Sequence, residues 1–285
     1  MIPFSDRFSA LAPRYDVVLA DVWGVIHNGV AAFPETIEAL TRFRQGGGTV
    51  ILITNAPRPA EIVLRFLDKL AVPHTVFDGI VTSGDVTRAT IAARVGQSIF
   101  HIGPERDYGL FHQLDVRFAP LDSADYCVCS GLFDDINETA EDYRDLLTRM
   151  RARGLFMLCA NPDLVVERGD ELVYCAGAVA DLYEHLGGEV LWAGKPHRPI
   201  YQQALAAAAA RRGSEVPLQR VLAIGDSVRT DITGAARFGA DSLFVTGGIH
   251  AEELGERHNP NPTAIEKIFA AAGVRPTAVT HRLAW

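Results

Sequence analysis

Short apolar runs alternate along this chain with longer stretches in which apolar residues recur every three or four positions. The runs predict buried strands and the longer stretches predict amphipathic helices, the pattern of an α/β protein built on a parallel sheet. Residues 17–20 (VVLA) predict a first strand. Pro34 opens a helix that runs to Gln45, with Pro in its first turn and Gly46 just beyond its end. Residues 49–54 (TVILIT) predict the next strand, apolar nearly throughout and therefore buried on both faces. A helix follows over about 59–70. Further strands are expected near 78–82, 98–102, 125–129, 155–159, 190–192, 220–224 and 242–246. Helices are expected over about 85–94, 138–153, 178–186, 198–212, 229–238 and 263–272. The Ala-rich stretch 204–213 suits a close-packed helix that ends at Gly213. No internal repeat is visible. After Gly273 the pattern fades, and that segment is expected to be a docked tail.

The chain has 285 residues, enough for one large domain or two ordinary ones. Its 27 Lys and Arg against 35 Asp and Glu give a net charge of −8, which argues against a nucleic-acid binder. No apolar run is long enough to span a membrane. The opening residues lack a basic stretch followed by an apolar one, so no signal peptide is expected and the cytoplasm is the default location. Cys127, Cys129, Cys159 and Cys175 contain no C-x-x-C pair and read as small buried hydrophobes in a reducing compartment.

In open α/β sheets, ligands bind beyond the carboxyl ends of the strands. Asp21 follows the first strand there. Thr54 and Asn55 close the second. Gly194, Lys195 and Pro196 follow the strand at 190–192. Gly225 and Asp226 follow the strand at 220–224, with Asp231 five residues on. Each element alone is weak, because a single Asp at a strand end is commonly a turn former. The ordered set is stronger. Two acids, a lysine and a hydroxyl at one sheet edge suit phosphate chemistry with a divalent metal. Asp21 and Asp226 would share a hard cation such as Mg²⁺. Lys195 would neutralise phosphate oxygens as a compact charge. Thr54 would donate its hydroxyl to the same oxygens.

The set resembles the haloacid dehalogenase superfamily of phosphatases and phosphotransferases. DVWGVIHNG (21–29), ILITN (51–55), GKP (194–196) and GDSVRTDI (225–232) are similar to its four motifs in order. The stretch between Thr54 and Lys195 is too long for one crossover and would hold a whole domain. A large α/β cap at this place resembles subclass IIA, the sugar-phosphatase-like and nitrophenyl-phosphatase-like members. VTSGD (81–85), ANPD (160–163) and AGAVAD (176–181) resemble the stretches flanking that cap.

By this resemblance Asp21 is the nucleophile that forms an aspartyl-phosphate. Asp21 and Asp226 bind Mg²⁺ through side chains, the backbone carbonyl of Trp23 is a third ligand, and Asp231 acts behind them. Thr54 and Asn55 cradle the phosphate, and Lys195 balances its charge. One departure stands out. The first motif of most family phosphatases reads D-x-D, but position 23 is Trp. The missing Asp normally protonates the leaving oxygen and activates water, help typically worth about 10² to 10⁴ in rate. Three readings stay open. The protein hydrolyses substrates with good leaving groups or uses another acid, for which His27 is the nearest candidate. It passes the phosphoryl group to an acceptor. Or it binds a phosphorylated ligand with little turnover. Trp23 could pack on a leaving group or simply brace its turn.

Asn161, Asp163 and Gly177 are candidates for the substrate lining of the cap, with Asp163 read either as a hydroxyl ligand or as a turn former. His250, in TGGIH, is a further candidate near the site. A dinucleotide-binding enzyme needs G-x-G-x-x-G after a strand, and Gly46–Gly48 precedes one. A P-loop needs Ser or Thr after its Lys, and Lys195 is followed by Pro. The sequence thus leads to a doubly wound core over about 1–80 and 190–285 with an α/β cap over about 81–189. The expected function is Mg²⁺-dependent hydrolysis of a small phosphorylated metabolite, by a monomer or a homodimer.

Overall fold

The computed structural model describes residues 2–5, 7–168, 171–256 and 259–285. They divide into two units. The first comprises Met1–Thr54, Leu64–Val81 and Lys195–Trp285; the second comprises Asn55–Val63 and Thr82–Gly194.

The first unit is built on a six-stranded sheet in the order Ala278–Thr280, Asp241–Val245, Val221–Gly225, Val17–Asp21, Thr49–Thr54, Gly79–Thr82. Strand Val17–Asp21 lies at its centre, parallel to Thr49–Thr54 on one side and to Val221–Gly225 on the other. Every residue of these three strands is buried, which is why their sequences are apolar almost without alternation. From the central strand the chain winds outward in both directions. The strand order therefore reverses at Val17–Asp21, and the carboxyl ends beside it form the crevice where such sheets hold ligands. Register sharpens this placement. Ala20 pairs with Ile224 and Asp21 with Ile53, so Asp21, Thr54 and Asp226 leave the sheet within one residue of the same level.

Helices cover the sheet with their apolar stripes. Pro34–Gln45 buries Thr36, Ala39, Leu40 and Phe43, a spacing of three and four residues. Arg198–Arg212 packs on Thr49–Thr54 through a face that includes Ile200, Tyr201, Ala204 and Ala208. Small Ala side chains let it lie close to the strand. It ends at Gly213 in the left-handed conformation. The segment expected as a docked tail contains an edge strand instead. Ala278–Thr280 pairs in parallel with Asp241–Val245. Three residues are too few to show a period.

The second unit has its own five-stranded sheet, in the order Val190–Trp192, Met157–Cys159, Tyr126–Cys129, Ser98–Ile102, Arg117–Phe118, with every pairing parallel. Here the structure departs from the sequence reading. Strand 190–192 was expected in the sheet that carries Asp21, but it pairs with Met157–Cys159 in this second sheet. An apolar run announces a strand without naming its partner. Lys195 therefore enters the first unit from the end of a strand that belongs to the second. An antiparallel hairpin of Val165–Arg168 and Glu171–Tyr174 was also absent from the sequence reading. Cys127, Cys129 and Cys159 sit in the unit's hydrophobic core, and all four cysteines are buried thiols. Among the described residues, no helix is long and apolar enough to cross a membrane.

Candidate active site

The chain leaves the central strand at Asp21 and turns back at once. Ile26 N–H donates to the Val22 carbonyl at 2.8 Å, and Gly24 N–H donates to that of His27 at 2.8 Å. Gly24 has φ +80°, and a Cβ there would fall 2.0 Å from Asp226 Oδ2. Gly248 is as tightly confined, because its Cβ would lie 1.9 Å from the same oxygen. Two glycines from distant loops thus close on one carboxylate, and no other residue type fits at either. Between them the Ile249 N–H donates to Asp226 Oδ2 at 2.8 Å.

Asp21, Asp226 and Asp231 converge here. All three are buried, and each offers a carboxylate oxygen within 4.8 Å of the others. Lys195, only 2% exposed, places its Nζ 2.7 Å from Asp21 Oδ1 and 2.7 Å from Asp231 Oδ1. Val22 N–H donates to Asp21 Oδ1 at 2.7 Å, and Ser227 N–H donates to Asp231 Oδ2 at 3.0 Å. One ammonium thus faces three carboxylates.

The titration of the group follows from this imbalance. Burial, then the charge of Asp231, push the Asp21 carboxyl well above its usual range, and Lys195 offsets only part of that. Burial and Asp231 raise Asp226 to about 7. Burial alone would lower Lys195, but Asp21 and Asp231 outweigh it and hold the ammonium firmly charged. Fully ionised, the cluster carries two uncompensated negative charges in a buried place, which is costly. A divalent cation cancels them. An oxygen-only donor set of this kind suits a hard ion such as Mg²⁺. The residues therefore fit the metal that the sequence implied.

Asp231 stands on an unusual turn. Val228–Ile232 is π-helical, opened by Ser227, whose hydroxyl accepts from Thr230 N–H at 3.3 Å. Single π-turns of this kind are rare and concentrate at functional sites. His250 serves the same turn. Its Nε2 accepts from Val228 N–H at 3.3 Å, while its Nδ1 lies 2.8 Å from Glu253 Oε2. It braces the loop that bears Asp226 and Asp231. Ser227, Gly248 and the Ile249 N–H were not among the sequence candidates. Ser227 could have been read as a cap in GDS; the backbone donor could not.

The remaining candidates are distributed as follows. Thr54 ends its strand buried, in the same unit as the acids and Lys195. Trp23 lies in the turn after Asp21 with its indole half-exposed, packed over Gly29 and edge-on to His27 at 5.1 Å. His27 is 1% exposed, and its ring also meets Phe66 at 5.3 Å. Its Nδ1 accepts from Gly29 N–H at 2.9 Å, and burial lowers its pKa to about 4. A neutral, enclosed ring that caps a turn suits a brace, the packing reading of His27.

Asn55 falls in the second unit, where its side-chain amide donates to Asp163 Oδ1 at 2.9 Å. Asn161 Oδ1 accepts from Asp163 N–H at 3.1 Å, forming an Asx turn. Gly177 N–H donates to the Asp163 carbonyl at 3.1 Å, and a Cβ on Gly177 would strike that carbonyl oxygen at 2.4 Å. Asn55, Asn161, Asp163 and Gly177 thus form one knot. The turn here is made by the Asn161 side chain, while the Asp163 carboxylate accepts from Asn55.

Comparison with known proteins adds an independent observation. A family model described as haloacid dehalogenase-like hydrolase matches residues 18–117, and one described as HAD-hydrolase-like matches residues 192–279. The chain is similar to a crystal structure of a hydrolase of the haloacid dehalogenase-like family from Brucella suis 1330. Identity is 47% over 98% of this chain and 100% of that one, with a TM-score of 0.86. It is also similar to D-glycerol 3-phosphate phosphatase of Mycobacterium tuberculosis, 26% identical over 278 residues, 96% of this chain and 71% of the relative. Ribonucleotide monophosphatase NagD of Escherichia coli strain K12 is 24% identical over 241 residues, 81% of this chain and 88% of its own.

Proposed function

The chain belongs to the haloacid dehalogenase-like family of hydrolases, and from that premise we propose that it hydrolyses a small phosphate monoester through an aspartyl-phosphate on Asp21. The observation that carries this reading is the buried group of Asp21, Asp226 and Asp231 around Lys195, at the reversal point of the sheet. The relatives named as phosphatases of D-glycerol 3-phosphate and of ribonucleotides support a small phosphorylated metabolite as substrate. In this reading the first unit is the catalytic core, and the second is the cap inserted into it.

Asp21 and Asp226 would hold Mg²⁺ with the Trp23 backbone carbonyl, and Asp231 would orient the surrounding groups. When bound, the ion supplies positive charge that keeps the carboxylates ionised and draws charge off the phosphoryl oxygens. Asp21 attacks phosphorus through a carboxylate oxygen. A bond from that oxygen to phosphorus forms as the ester bond breaks, and the leaving oxygen departs with the electron pair. Lys195 and Thr54 stabilise the spreading phosphoryl charge. Water then attacks the aspartyl-phosphate, releasing phosphate and restoring the Asp21 carboxylate.

Trp23 can neither give nor accept the protons these steps require. Leaving groups that tolerate negative charge are therefore favoured over alkoxides. The same residue favours a second reading, in which the protein binds a phosphorylated ligand and turns it over slowly. Phosphate release from p-nitrophenyl phosphate and from D-glycerol 3-phosphate, with Mg²⁺, separates the two. Hydrolysis predicts release that falls at least about 10³-fold in Asp21→Asn, with the aryl ester the faster substrate. Binding of D-glycerol 3-phosphate without release from either ester would select the second reading.

A further inference from the structure

We propose that Tyr201 is a positioning residue for the Asp231 carboxylate, a role that rests on the phosphatase reading above. Tyr201 projects from helix Arg198–Arg212 and is fully buried. Its hydroxyl lies 3.2 Å from the Asp231 carbonyl oxygen and 3.4 Å from that of Thr230, so its single proton is shared between the last carbonyls of the π-turn. The turn is wide. Asp231 N–H and Ile232 N–H both reach back to the Ser227 carbonyl, at 3.0 and 3.2 Å. Such a turn departs from helical register and needs support from outside its own backbone.

Room for the hydroxyl is provided by Gly234, where a Cβ would fall 2.3 Å from it. The ring stacks on Phe238 at 5.3 Å, a contact that Phe would keep without the oxygen. Buried hydroxyls are kept where they meet a partner, and here the partner is the backbone that aims Asp231. The segment that carries Tyr201 meets the turn twice. Lys195 holds the Asp231 carboxylate at 2.7 Å, and Tyr201 holds its peptide carbonyl. The ammonium holds Oδ1 and the Ser227 N–H holds Oδ2, whereas the Tyr201 hydroxyl reaches the peptide that carries both. Together these contacts fix where the carboxylate points.

The test compares wild type with Tyr201→Phe. Calorimetric titration with MgCl₂ should show Mg²⁺ bound about tenfold more weakly by the variant, the lower end of the scale on which groups behind metal ligands act. With p-nitrophenyl phosphate, kcat should fall at low Mg²⁺ and recover at saturating Mg²⁺ while KM stays unchanged. Amide hydrogen exchange should rise across residues 227–233. Gly234→Ala, which pushes on the same hydroxyl, should move each quantity in the same direction. Mg²⁺ affinity within twofold of wild type and unchanged exchange in Tyr201→Phe would overturn the proposal. If wild type itself binds no Mg²⁺, the metal-dependent reading falls, and exchange at 227–233 still decides for or against Tyr201.

Discussion

At the carboxyl ends of the six-stranded sheet, three carboxylates crowd one ammonium. In the second unit, around Asn55 and the start of helix Ser83–Ala92, polar side chains answer one another. Asn55 bonds to Asp163, Asn161 closes a turn on Asp163, and the Ser83 hydroxyl lies 2.6 Å from the Ala160 carbonyl and 3.0 Å from that of Ala56. Thr82 and Asp85 form a reciprocal capping box at the start of helix Ser83–Ala92. The sheet edge of the first unit and this polar edge of the second unit differ in electrical balance. In the second unit these groups match donors to acceptors and tie together segments distant in sequence. In the first, acceptors outnumber the charge available to them. A cluster that satisfies its own polar groups is a scaffold, whereas one that leaves like charges buried together suits a counter-ion.

The largest break in this contrast comes from removing the Lys195 ammonium. Lys195→Met leaves Asp21 and Asp231 without their partner and should destabilise the metal-free protein by about 3–5 kcal/mol, read by urea unfolding. Added Mg²⁺ should restore part of that loss. A change within experimental error would mean that the acids are neutral in the fold and the imbalance is only apparent.

The pH dependence of stability is the next largest effect. Asp226 titrates at about 7 in the folded protein against an ordinary value of 3.8 for the free side chain, and Asp21 is shifted the same way. Between those values the folded protein binds more protons than the unfolded chain. Its stability is therefore full at the acid end and declines as pH rises toward 7, by up to about 1.4 kcal/mol per pH unit for one such group. Urea unfolding with a chelator present should show this slope, and Mg²⁺ should flatten it. A rising slope would contradict the charge assignment.

The smallest effect belongs to the second edge. Asp163→Ala removes the partner of the Asn55 amide and should cost about 1–2 kcal/mol of stability. KM for p-nitrophenyl phosphate should stay within about threefold, because the lost bond is a structural tie. A tenfold or greater rise in KM with unchanged stability would return Asp163 to the role of a substrate contact.

Much of the first edge was legible in the sequence, for a physical reason. Strands buried on both faces leave continuous apolar runs, so the polar residue that ends each run stands out. Asp21, Thr54 and Asp226 were visible in that way. The second edge was less legible. Asn55 and Asp163 are 108 positions apart, and nothing in either segment announces the other. The strand at 190–192 showed its type but not its sheet, since pairing depends on long-range packing. Ala278–Thr280 was too short to carry a period. Nothing in the sequence singled out Tyr201, because a hydroxyl's purpose lies in the carbonyls it meets.

The central claim is the proposal that the buried acids of the first unit bind a divalent cation. It is tested most directly by calorimetric titration of MgCl₂ into the wild-type protein and into Asp226→Asn, at about pH 7.5, where the acids must be ionised to bind metal. The account predicts one Mg²⁺ per wild-type chain and no saturable binding to the variant. Absence of binding to wild type up to about 10 mM MgCl₂, or equal binding to both proteins, would contradict it.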